Sequence, residues 1–295
     1  MEHTIPLDPE NRADTPQDDS TSEVAADVAY KRLMIVNVAF YGAAGAPSGT
    51  WVLIDAGVMG TKGRILDAVE QRYGAGSRPA AIILTHGHSD HTGTLEDLAS
   101  LWDVPIYAHE LEVPYLDGTA SYPPPDPSVG GGLMSLLSPL FPPGPINVKR
   151  WLRTLPADGS VPVMPGWHWI HTPGHTPGHI SLWRESDRMM IVGDAFITTN
   201  QESAYAVATQ RTELHGPPMY YTQDWDASRR SVQRLAALEP ETVITGHGRA
   251  MHGAELREAL HTLARDFDRI ALPEEGRYLE HPARAEDGSA YNDPD

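Results

Sequence analysis

The chain has 295 residues, no cysteine and a formal net charge of −18. Without thiols there can be no disulfide, no cysteine-ligated zinc or iron–sulfur centre and no cysteine nucleophile. The acidity excludes a nucleic-acid binder, which needs a basic stripe to displace counterions, and a basic amphipathic membrane anchor.

Residues 1–24 carry seven acids against one base, Arg12. So polar a segment cannot offset its ordering entropy by burial, and a disordered acidic arm is expected. It lacks the basic and apolar regions of a secretory leader. No apolar run of about 18 residues follows that could span a bilayer. A cytoplasmic protein is therefore expected.

Short β-branched or aromatic runs predict strands at 33–41, 51–54, 81–84, 104–108, 167–170, 180–183, 189–192 and 242–244. Helical spacing predicts helices at 62–73, 92–101, 227–238 and 253–270, the third with Asp226 as N-cap. The fourth sets Leu256, Leu260, Leu263, Phe267 and Ile270 on one face, which reads as core packing. This alternation predicts a layered α/β fold with one catalytic domain over residues 25–272. Residues 116–147 break the rhythm with Pro123–Pro125, Gly130–Gly132 and an apolar stretch at 133–141. They read as a lid or pocket wall, with a homodimer contact as the alternative. From 273 onward two arginines face seven acids, so a loosely packed acidic tail is expected.

The chemistry concentrates in the histidines. Thr85-His86-Gly87-His88-Ser89-Asp90-His91 follows the run 81–84 directly. His86 and His88 are two apart, so on an extended segment they can face one side. Gly87 between them would let the backbone bend tightly. Asp90 and His91 could serve a second ion close by. Three further runs end in His175, Asp194 and His247, each near small residues. Ligands at carboxyl ends of strands would gather at one end of an α/β molecule. Five imidazoles and two carboxylates suit zinc, iron, manganese or cobalt. Seven donors exceed one catalytic zinc but fit two ions sharing a carboxylate.

His86-Gly-His88-Ser-Asp90-His91, His175 in TPGHTPGH, Asp194 in VGDAF, His247 in TGHG and Asp55 in LIDAG together resemble the metallo-β-lactamase superfamily, in its dinuclear zinc hydrolase branch. The resemblance implies a four-layer αββα sandwich of two mixed sheets with helices outside. It implies two Zn2+ per chain, with iron or manganese as alternatives. His86, His88 and His175 would hold the first ion, Asp90, His91 and His247 the second, and Asp194 would bridge them. Asp55 and His179 would orient the site from behind the ligands. A bridging hydroxide would attack a carbonyl, with Asp90 able to take its proton.

The absent cysteine removes the β-lactamase subclasses that use a cysteine ligand. Ile197 stands where the lactonase-like branch places a tyrosine, and the acidic tail lacks the basic residues of glyoxalase II-like thioesterases. The apolar insertion favours a neutral or lipophilic small molecule, most simply a carboxylic ester or lactone. A thioester, a β-lactam-like amide and iron-dependent oxidation are the alternatives. Phe196, Tyr220, Tyr221, Leu133 and Phe141 are candidate substrate contacts; no nucleic acid or membrane partner is expected.

Overall fold

A computed structural model describes residues 4–130, 135, 136, 138, 144–209 and 211–293. Its two main sheets are mixed. The first has eight strands in the spatial order Thr15–Pro16, Ser22–Ala25, Val28–Leu33, Val36–Tyr41, Val52–Ile54, Ala81–Ile83, Ile106–Ala108 and Leu152–Thr154. Neighbours are antiparallel up to Val52–Ile54 and parallel beyond it. The second runs Trp167–His171, Ile180–Arg184, Met189–Gly193, Thr242–Thr245 and Met251–His252, with one parallel pair between the third and fourth.

Side-chain alternation explains why the sheets stack. In Val52–Ile54 and Ala81–Ile83, Val52, Ile54, Ala81 and Ile83 join a core shared with Ile180, Leu182, Met189, Ile191 and Ile244 of the other sheet. Their neighbours Leu53 and Ile82 point the opposite way, into a core with Ile65, Val69, Leu95 and Leu98. Those residues belong to helices α1 (Lys62–Tyr73) and α2 (Leu95–Trp102). Met190 and Val192 face outward on the second sheet, against Val232, Leu235, Leu256, Leu260 and Leu263. These come from α3 (Trp225–Ala236) and α4 (Gly253–Arg265). The strands are apolar on both faces because each sheet is covered on both. The result is the four-layer αββα sandwich expected from the motifs. Each large apolar side chain so buried contributes roughly 1.5–3 kcal/mol.

Several local expectations shift. The run at 33–41 is the second half of a hairpin whose turn residue Met34 has φ 62°. The N-cap of α3 is Asp224, which accepts a 2.9 Å bond from the Ala227 N–H, and not Asp226. The predicted helix at 253–270 breaks at Asp266 and resumes as Phe267–Ile270, with its apolar stripe buried throughout.

Both tails depart from the sequence reading. Thr4–Pro6 pairs antiparallel with Glu213–His215, and Leu7 is buried. Thr15–Pro16 and Ser22–Ala25 extend the first sheet. Three of the arm's acids meet groups of the body. Asp19 and Glu23 meet the buried guanidinium of Arg72 at 3.4 and 3.5 Å, and Asp14 accepts from the Tyr30 hydroxyl at 3.0 Å. The C-terminal tail packs likewise: Tyr278 and Ala290 are buried, Arg284 meets Asp224 at 2.6 Å, and Ser121 and Asn292 form a β-bridge. Composition could not reveal partners up to 247 residues away, such as Glu255 accepting from the Asp8 N–H. Among the described residues no helix is long and apolar enough to cross a membrane.

Removing Arg72 should release the arm. Arg72→Ala is expected to cost about 1–3 kcal/mol, the usual penalty for stranding partners of a charged hydrogen-bonding group, and to expose residues 4–25 to proteolysis. Urea unfolding with limited proteolysis checks this; an equally stable and equally protected variant would show that the arm is held by other contacts.

Candidate metal centre

Three strand ends, one loop and one helical turn build the site. Ala81–Ile83 runs into Leu84, Thr85 and His86. Met189–Gly193 ends beside Asp194, and Thr242–Thr245 is followed by Gly246 and His247. His175 lies in the loop between Trp167–His171 and Ile180–Arg184. Asp90 and His91 lie on the short helical turn Ser89–Thr92. The structure thus brings all seven sequence-predicted donors to one end of the sandwich. Three overlapping groups are close enough to share an ion: His86, His88 and His175; His86, His91 and Asp194; Asp90, His91 and His247, each with ligand atoms within 4.8 Å.

The hydrogen bonds behind the imidazoles decide which nitrogen faces inward. Asp55 accepts from the Nδ1 of His91 at 2.9 Å, from the Thr85 N–H at 2.8 Å and from the Thr85 hydroxyl at 2.8 Å. With that proton committed, Thr85 Oγ1 can accept only from the Nδ1 of His86, 3.1 Å away. His247 donates from Nδ1 to the Ile35 carbonyl at 2.6 Å. Thr222 gives its proton to the Pro218 carbonyl, so its oxygen accepts from the Nδ1 of His175 at 3.3 Å. Four rings therefore commit Nδ1 outward and turn Nε2 toward the centre, the orientation a metal requires. His88 presents Nδ1 3.0 Å from the Nε2 of His175. Asp55 reaches its position on a left-handed backbone, φ 60°, the kind of strain that surrounding structure must hold in place.

The second carboxylate sits between the groups. Asp194 Oδ2 lies 3.5 Å from the Nε2 of His175, 3.5 Å from that of His91 and 3.1 Å from that of His247. The Asp194 N–H donates to the Nε2 of His179 at 2.8 Å, while the Nδ1 of His179 bonds Thr172 at 2.8 Å. His179 thus anchors Asp194 through its backbone. Asp90 Oδ2 lies 3.4 Å from the Nε2 of His247 and is the least buried donor.

Electrostatics separate the rings. Burial holds the pKa of His86 and His175 well below the ordinary imidazole value and brings His88 and His179 down to about 3. Burial pulls on His91 and His247 too, but the Asp194 charge outweighs it and raises both. Burial would raise Asp194; the neighbouring His247 and His91 overcome that and drive it well below the carboxylate range. The Nε2 atoms of His86, His88 and His91 and Oδ1 of Asp194 are buried without a hydrogen-bond partner. An unmet buried polar atom costs about 1–3 kcal/mol. Those of His86 and His91 face the other donors and fit a divalent cation, and the nitrogen and oxygen donors suit it chemically.

The metallo-beta-lactamase superfamily model matches residues 33–247. The chain belongs to this superfamily. It is 46% identical over 248 residues to "Probable metallo-hydrolase YflN" of Bacillus subtilis, covering 84% of this chain and 94% of that one. Two solved structures share the superfamily fold. A B3 metallo-beta-lactamase with an active-site glutamic acid gives a TM-score of 0.56 at 20% identity, over 92% of this chain and 95% of that one. TTHA1623 in a di-iron-bound form gives 0.50 at 24% identity, over 80% and 96%.

The other sequence candidates divide. Tyr220 and Tyr221 line a cavity of about 640 Å³ that reaches the donors at Asp90. The Tyr221 ring stacks on His88, centroids 4.5 Å apart. Phe196 is fully buried in the core between the second sheet and its helices, and is absent from this cavity's lining, so it is a packing residue here. Leu133 and Phe141 lie outside the described residues. His171 stacks on His109 at 4.2 Å and donates to the Pro177 carbonyl, away from the donors. Sequence reading missed Glu112 and Tyr122, which touch the ligand loops; neither carries a motif, and only their spatial neighbours reveal them.

Asp55→Asn should weaken metal binding by about 10–100-fold, as is typical when a partner behind a ligand is lost. Competition against a chromophoric chelator measures this; unchanged affinity would show that His91 is oriented by other groups.

Proposed function

We propose that the chain is a hydrolase of neutral carboxylic esters or lactones that uses two divalent ions, zinc being the resident metal. The observation that carries this reading is the cavity above the donors. Ile35, Val58, Met59, Tyr115, Pro145 and Ile146 give it apolar walls, and no Lys or Arg is among its described lining residues. Asp90, Glu96 and Asp97 are the ionisable acids on that lining. A polyanionic substrate would meet repulsion there, whereas an uncharged acyl or lactone body would bury apolar surface.

In this reading His86, His88 and His175 would hold one ion, Asp90, His91 and His247 the other, and Asp194 would lie between them. When bound, such a pair supplies Lewis-acid polarisation of a carbonyl and a nucleophile available near neutral pH. The chain's own groups would do the rest. Asp90 Oδ2, open to the cavity, would accept the proton of the attacking water. Burial keeps the Tyr220 and Tyr221 hydroxyls protonated, so they would donate to substrate oxygen and never compete as anions. The apolar walls would exclude bulk water and hold the acyl group over the donors.

The all-nitrogen-and-oxygen donor set supports zinc but also suits iron, and the di-iron form of TTHA1623 makes iron the alternative metal. A panel on zinc-loaded protein tests the assignment: nitrophenyl esters of varied length, γ-lactones, a glutathione thioester, a chromogenic cephalosporin and a phosphotriester. Esters or lactones are expected to turn over fastest, with activity lost on chelation. His175→Ala is expected to lower both metal content and turnover by orders of magnitude. Preference for the thioester or cephalosporin would move the substrate class, and stoichiometric iron with oxygen uptake would sink the hydrolase reading.

A further inference from the structure

Glu112 belongs to neither donor group and takes no part in the chemistry above. It ends the short turn Glu110–Glu112, which follows strand Ile106–Ala108, and its side chain is buried. A lone buried carboxylate is costly, so its partners are informative. Oε2 accepts from the Gly87 N–H at 2.9 Å and from the Tyr122 hydroxyl. Oε1 accepts from the Thr176 hydroxyl at 2.8 Å and from the Gly178 N–H at 2.8 Å. Gly87 sits between His86 and His88, and Thr176 follows His175. One carboxylate thus ties together the two loops that supply the first three imidazoles.

The glycines bear independent witness. A Cβ at Gly178 would meet Glu112 Cγ at 2.7 Å and Oε1 at 2.8 Å, and one at Gly87 would meet the Tyr122 hydroxyl at 2.6 Å. Gly87 does not adopt a left-handed φ. Its lack of a side chain serves close approach by this carboxylate and its phenol, not the tight bend expected from the sequence. Tyr122 continues the contact: its ring lies against His88 with centroids 4.5 Å apart and stacks on Tyr115 at 3.6 Å. Tyr115 in turn donates to the Ala290 carbonyl of the C-terminal segment at 2.7 Å.

We propose that Glu112 is a positioning residue for the His86, His88 and His175 group, setting the spacing of its two loops so that three ring nitrogens converge on one ion. The proposal rests on the reading of that group as a metal site. The requirement is for a carboxylate and not merely an acceptor of that size. Two of the four donors are backbone N–H groups, which cannot reverse roles. An isosteric amide would turn its NH2 onto one of them in either orientation, leaving one loop unpaired or pushed away.

Zinc titration of the full chain against a chromophoric chelator tests this, with Glu112→Gln, Glu112→Asp and Thr176→Val beside the wild type and melting curves recorded on metal-free and zinc-loaded protein. Glu112→Gln is expected to weaken one of the two bound ions by about 10–100-fold while the other keeps its affinity. Thr176→Val, which removes one donor, should weaken the same ion by a smaller factor. Glu112→Asp keeps the charge but is one methylene short, and should recover part of the lost affinity. Cobalt spectra should change at one site only. A purely structural role would lower the metal-free Tm and leave both affinities at the wild-type value, which would overturn the proposal. Should Glu112→Gln fail to fold, unchanged affinities in Thr176→Val would overturn it equally. A wild-type protein that binds no zinc would instead overturn the underlying metal reading, and the proposal with it.

Discussion

Five imidazoles and two carboxylates share one water-poor volume at the end of the sandwich, and their electrostatics constrain everything around them. Rings this close repel when charged, and burial already disfavours the charged form. The chain answers by giving four rings an acceptor on the far side: the Thr85 hydroxyl, Asp55, Thr222 and the Ile35 carbonyl. Each acceptor engages Nδ1 on the outer side, so each ring aims Nε2 toward the centre. Asp194 supplies the negative charge that raises His91 and His247, and those rings in return keep Asp194 ionised. Without a cation the inward-facing Nε2 atoms of His86 and His91 have no partner, which is why the arrangement makes physical sense as a metal centre.

Holding such a cluster requires a rigid base. The sheets provide it because the strands are apolar on both faces and stack into four layers, so the loops at their ends cannot drift. The outer supports come from places with no motif of their own. Glu112, at the end of the turn that follows strand Ile106–Ala108, hydrogen-bonds two ligand loops, and Tyr115 passes the contact on to the C-terminal segment. The terminal segments are therefore parts of the scaffold. Part of the N-terminal acidity is engaged by the body, Asp19 and Glu23 on Arg72, while the C-terminal segment sends a base, Arg284, to Asp224.

The cavity shares the logic of the donors. Its walls are apolar, and its described lining holds acids without bases. Tyr221 both lines this space and stacks on His88, so the cavity wall and a donor ring meet at one side chain.

Much of this was legible in the linear chain. Strand cores, the amphipathic stripe of α4 and the His-rich loops are local patterns, since alternation and ligand spacing repeat within a few residues. Family membership and the seven donors followed from motifs of that kind. What stayed hidden depends on partners distant in sequence. The arm was misread because its backbone pairs with Glu213–His215. Phe196 stands two residues from Asp194, yet the turn after Met189–Gly193 places it in the outer core. Glu112 carried no signal, because a buried carboxylate is defined by the four donors that the fold delivers to it. The sequence by itself determined the donor chemistry and the layers, since these depend on residue type and short-range period. Tertiary structure alone decided which nitrogen faces inward, which acid is bound to which base and what holds the loops apart, because each follows from contacts that exist only once the sheets have packed.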